Sequence, residues 1–84
     1  MSLTPGFAAD AKSQWLELAV AHQEIVLDII DRLATNPPSN GEHVADDVHD
    51  EQGISHYIFV HVLIERQSNS LTIIGVGHTT RPGN

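Results

Sequence analysis

Apolar residues follow two rhythms along this chain, and the rhythm changes in its middle. Phe7, Ala8, Ala11, Trp15, Leu18 and Ala19 recur at three- and four-residue spacing, and Ile25, Val26, Ile29, Ile30 and Leu33 do so again. Such spacing marks one face of an α-helix. Thr4-Pro5 offers a hydroxyl cap and a proline that gives up an already orphaned N–H. Asn36-Pro37-Pro38 is a stop, because the residue before a proline is pushed out of helical geometry. A single rod over residues 5–35 would be roughly 46 Å long at ~1.5 Å per residue, too long for a small globule to cover on one side. The pattern therefore predicts a helical hairpin, with helices over about 5–20 and 23–35 and a bend near Val20-Ala21-His22-Gln23.

Beyond Ser55 the rhythm becomes that of strands. Val, Ile, Phe and Tyr crowd residues 57–64, where β-branched and aromatic side chains are at home. Gln67-Ser68-Asn69-Ser70 is a turn cluster, so a β-hairpin is predicted over 54–66 and 71–78. His56, Ile58, Val60, Val62 and Ile64 share one face of its first strand; Tyr57, Phe59, His61 and Leu63 share the other. Both faces are mostly apolar. One must meet the helices, and the second is expected to be covered by a partner. On the last strand Gly75 and Gly77 share a face and leave a shallow notch, read as room for the protein's own helix or a partner's chain. Thr72, Ile74, Val76 and His78 are assigned to the opposite face. The stretch between the halves, residues 37–53, is rich in turn formers and acids and is expected to be an acidic connector, mostly loop. Val44 and Val48 would share a face if part of it paired as an edge strand.

Composition narrows the functions open to such a chain. Its 84 residues can fill one core, and a domain this small hides only about 60–65% of its unfolded surface, which favours association. Cysteine is absent, which removes disulfides and thiolate metal sites. No apolar run approaches the roughly 20 residues needed to cross a bilayer, and no charged-then-apolar leader opens the chain. The cytoplasm is the default expectation. Four Lys and Arg against eleven Asp and Glu give a net charge of −7. Lys12, Arg32, Arg66 and Arg81 are scattered, so direct high-affinity binding of nucleic acid or an anionic membrane is disfavoured, and a basic partner is easier to accommodate.

The order helix, helix, acidic loop, β-hairpin carries a resemblance. "LATNPP" followed by "HYIFVHVLIERQSNSLTIIGVGHTTRPG" resembles the RelE/ParE superfamily of bacterial toxin–antitoxin toxins, through the His-aromatic-Ile start at 56–59 and the Ile-Gly-Val-Gly-His strand end at 74–78. The resemblance implies an α+β fold of order β-α-α-β-β-β, a helical hairpin packed on one face of a small twisted antiparallel sheet, with residues 1–4 as a truncated first strand. It also implies two activities. RelE-like members cut mRNA in the ribosomal decoding site with Lys, Arg, Glu or Tyr side chains, and ParE-like members poison DNA gyrase. Both are held inactive by an antitoxin whose helix or strand wraps the toxin. Tyr57 matches the family's strand aromatic and His78 its histidine. Ile58 and Thr79 stand where arginines are common, and His61 where a tyrosine is.

These residues define the candidate sites. A catalytic set would be His78, His61, His56 and Arg81, as acid, base and phosphate clamp, although a ribonuclease needs more positive charge than this chain supplies. His78 has a second reading, as a strand-end hydrogen bond that fixes the tail. A protein-binding set would be Tyr57, Phe59, Leu63, Gly75 and Gly77. His43, Asp46, Asp47, His49, Asp50 and Glu51 offer metal-ligating atoms, but their spacing fits no metal motif, so a solvated acidic loop, no metal and no cofactor are expected. Trp15 is read as a core anchor and Arg66 as a strand-end charge that discourages edge pairing. No Gly-x-Ser-x-Gly elbow or glycine-rich phosphate loop is present. Three functions stay open: a toxin-like component acting through protein–protein binding to a cognate antitoxin; a ribosome-dependent or free mRNA endoribonuclease; and a homo-oligomer that covers its apolar sheet face by self-association.

Overall fold

The computed structural model describes residues 2–82. Six elements follow one another: β1 (Thr4–Phe7), α1 (Ala9–Leu16), α2 (Val20–Thr35), β2 (Gly41–Glu51), β3 (Ile54–Glu65) and β4 (Ser70–Pro82). The strands form one sheet in the order β1-β4-β3-β2. Three strands pair antiparallel, and β1 runs parallel to β4, which makes the sheet mixed. Two helices packed on a four-stranded sheet give the expected α+β class and element order.

The first turn of the expected helix is a strand. Pro5 and Gly6 are poor helix formers, and Ser70–Ile73 of β4 offer them a parallel edge to pair with. Proline is tolerated there because β1 is an edge strand. The Leu3 N–H donates to the Ala34 carbonyl and the Ala8 N–H to the Ile73 carbonyl, both at 2.9 Å, which holds the strand at each end. The helical pair is a hairpin as expected, but it breaks at residues 17–19, ahead of the predicted bend. No glycine or proline makes this break. The Trp15 indole N–H donates to the Gln23 carbonyl, and the Gln23 amide donates back to the Trp15 carbonyl, each at 3.1 Å. The Trp15 ring packs on Phe7 with centroids 5.7 Å apart, so it anchors the edge of the core.

The acidic connector differs most from expectation. Residues 41–51 pair with β3 without interruption, from Gly41 opposite Ile64 to Glu51 opposite Ile54. Acids do not prevent this, because β2 is an edge strand whose charges stay hydrated and guard the edge. Gln52 and Gly53, at φ 51° and 77°, form the two-residue turn whose twist suits a hairpin. Arg66 also has another role than the one expected. Its guanidinium donates to the Pro37 carbonyl at 2.6 Å and the Pro38 carbonyl at 3.0 Å, tying the β3 end to the loop after α2.

The core lies between α2 and the sheet. Val26, Ile29, Ile30 and Ala34 from α2 meet Ile58, Val60, Val62 and Ile64 of β3 and Leu71, Ile73 and Val76 of β4, all buried. One irregularity shapes the site below. Val62 pairs with Ile73 and His61 with Gly75, so Ile74 is a bulge with no partner. The bulge changes the alternation, and the face predicted for β4 is corrected by it. Thr72 pairs with Leu63 on the face away from the helices, whereas Val76 and His78 lie on the helix face. Among the described residues, no helix is long and apolar enough to cross a membrane.

Candidate functional site

The inward-facing rows of β3 and β4 are apolar along most of their length, and the inward rows of the three long strands each end in a histidine at the same end of the sheet. On β3 the row Ile64, Val62, Val60, Ile58 continues to His56. On β4, Leu71, Ile73 and Val76 lead to His78, which sits opposite Ile58. On β2 the inward positions end with His49, directly opposite His56. Above them, His22 lies one helical turn before Val26 on the buried stripe of α2.

The four imidazoles meet. His22 has ring centroids 4.8 Å from His56, 5.3 Å from His78 and 5.8 Å from His49. His49 and His56 are 6.1 Å apart, and His56 and His78 are 6.4 Å apart. One ring nitrogen from each of His22, His56 and His78 lies within 4.8 Å of the others. His22 is only 7% exposed, and the Nδ1 of His56 is buried without a hydrogen-bond partner. Burial first, and then repulsion from His56, His78 and His49, hold the His22 pKa below the ordinary imidazole value, against a weaker opposite pull from Glu51. A neutral ring at His22 keeps a lone pair free, so this side chain is available as a nitrogen donor.

The four predicted catalytic residues are therefore divided. His56 and His78 join the helix-side cluster. His61 projects from the opposite face, its Nε2 3.4 Å from Glu42 Oε1. Arg81 lies over the Tyr57 ring, its guanidinium carbon 5.2 Å from the centroid. The sheet separates His56 and His78 from His61 and Arg81, so the four do not form a single site. Of the acidic segment only His49 reaches the cluster; His43 Nε2 instead donates to the Ser39 carbonyl at 2.7 Å. Sequence reasoning missed His22, and it named His49 only among the ligating atoms of a stretch it took for a solvated loop. His22 was detectable, since it continues the stripe of Val26, Ile29 and Ile30 at helical spacing. His49 required β2 to be recognised as a strand.

The face away from the helices is the second candidate. Tyr57, Phe59, His61 and Leu63 lie half-buried along its centre. Beside them on β2, Val44 is 67% and Val48 45% exposed. The exposed carboxylates of Glu42, Asp46 and Asp50 project on the same side of β2. The glycine notch is not vacant. A Cβ on Gly77 would fall 2.6 Å from Cζ of Phe59, so this glycine makes room for the chain's own phenyl ring rather than for a helix or a partner. Gly75 would place a Cβ 3.6 Å from that of His61, an ordinary contact.

No family model matches the chain, and no curated protein does. Solved structures do. A mutant of the E. coli toxin RelE in the free state superposes with a TM-score of 0.75 at 12% identity, over 92% of this chain and 83% of that one. A crystal structure of the isolated E. coli RelE toxin in its P21 form gives 0.67 at 13% identity, over 95% and 87%. The chain has the fold of RelE-like toxins.

Proposed function

We propose that this protein is the toxin-like member of a toxin–antitoxin pair and that it acts through protein binding at the open face of its sheet. The observation that carries this reading is the apolar strip on the open face of a RelE-like fold, where exposed Val44 and Val48 adjoin half-buried Tyr57, Phe59 and Leu63. A strip of this kind beside Glu42, Asp46 and Asp50 suits an amphipathic antitoxin segment with basic flanks. Endoribonuclease action has less support. Its candidate residues lie on opposite faces, and the net charge of −7 opposes a phosphate backbone.

The test is co-expression with the adjacent reading frames, followed by capture through a tag on this chain. Capture of a neighbour, with growth arrest when that neighbour is omitted, is the expected result. Leu63→Glu should abolish capture while the fold survives, because the added carboxylate would be desolvated beneath the partner. Failure of both arrest and capture would refute the reading. Cleavage of RNA by the purified protein, with or without ribosomes, would replace it with the nuclease reading. A stable dimer lost in Leu63→Glu would replace it with self-association.

A further inference from the structure

We propose that His22, His56 and His78 bind a divalent transition-metal ion, zinc by preference, with His49 placed to supply a fourth nitrogen. Three observations converge. The first is position: four of the six histidines, drawn from α2, β2, β3 and β4, come together in one layer at one end of the sheet. A solvated face would not gather them, since nothing in the sequence brings residues 22, 49, 56 and 78 together except the fold. The second is the orphaned Nδ1 of His56, a buried polar atom of a kind that native proteins rarely leave without a partner. A metal ion would take its lone pair. The third is distance. Tetrahedral zinc with bonds of ~2.0–2.1 Å needs nitrogens about 3.3 Å apart. The three rings hold theirs within 4.8 Å, and modest side-chain rotation closes the remainder.

The donor set selects the class of ion. Imidazoles suit zinc, copper and nickel, whereas calcium and magnesium ask for oxygen. The nearest carboxylate is that of Glu51, 3.9 Å from His49 Nε2 and beyond hydrogen-bond distance, so the atoms facing the site are nitrogens. Bound there, the ion would fasten the N-terminal end of α2 to the three long strands. Its role would be structural, and it would stabilise the fold by binding the native state alone.

The experiment uses the full chain without a histidine tag, stripped by a chelator and then titrated with zinc chloride in a calorimeter. One ion per chain is expected, with a zinc-dependent rise in Tm. Cobalt should give the visible absorption of a four-coordinate nitrogen site. His78 is exposed, so His78→Gln leaves folding intact and should weaken zinc at least ~10-fold. His43→Gln, outside the cluster, should leave the affinity unchanged. Circular dichroism confirms that both variants are folded. Absence of saturable binding, one ion shared between two chains, or an unchanged affinity in His78→Gln would each overturn the proposal.

Discussion

Gly77 and Phe59 face each other across the β3–β4 pair, and the ring occupies the space a side chain at 77 would need. Gly77→Ala must displace the ring, and overpacking of this kind costs about 1–3 kcal/mol. The cost should fall sharply in a Phe59→Ala background, a non-additivity that chemical denaturation of the two single variants and the double variant would reveal. Gly6, with nothing within 4 Å of its missing Cβ, should accept alanine with little change. Arg66 makes a comparable point about chemistry. Its planar fork spans two adjacent carbonyls, so Arg66→Lys should lose about 1–2 kcal/mol even though the charge is kept. From the sequence, the glycines could be recognised as room. What fills the room depends on cross-strand register, which local pattern does not encode.

Between elements, α1 and β4 share buried Ala11 in the core and one side-chain hydrogen bond at the sheet edge. β1 ends at Phe7 opposite Ile73, and the outer edge of β4 continues beyond it. There the Gln14 side-chain carbonyl accepts the Val76 N–H at 2.8 Å, doing what the next strand residue would otherwise do. Gln14→Ala should cost about 1–2 kcal/mol in a urea titration by leaving that amide without its partner. The helical stripes and the β3–β4 hairpin were legible because their periodicities are strong. β1 was hidden by a cap-like Thr-Pro, and β2 by its acids, since both are edge strands whose pairing is decided by the neighbour and not by their own propensity. The histidine cluster inherited that gap. His56 and His78 could be named from the sequence, while His22 was placed at the predicted bend rather than on the α2 stripe it continues, and His49 lay on a strand read as loop.

At the scale of the molecule, the two sides of the sheet have separate tasks. One closes over the core and ends in imidazoles; the other stays open beside a line of carboxylates. The chain measures 43 × 24 × 17 Å, long and thin enough that the open side is a large share of its surface. A basic partner drawn to a body of charge −7 should associate faster at low ionic strength. Raising salt from ~0.05 to ~0.5 M should slow association more than dissociation in a surface-binding experiment, because exposed charges beyond a Debye length are screened. An association rate unchanged by salt would assign recognition to apolar contact alone.

Ile74 has no opposite number on β3, and it acts as a spacer between two differently phased stretches of one strand. Before it, odd-numbered side chains turn inward; after it, even-numbered ones do. Excising Ile74 should regularise the ladder while leaving every later pair with β3, from Gly75 opposite His61 onward, and every later side chain facing as it does now. The opposite outcome awaits an added residue anywhere between Val76 and His78, which would swing the imidazole outward and bring a threonine in. Single-residue indels in this arm thus form a frame test, and zinc affinity would report on which way position 78 is turned.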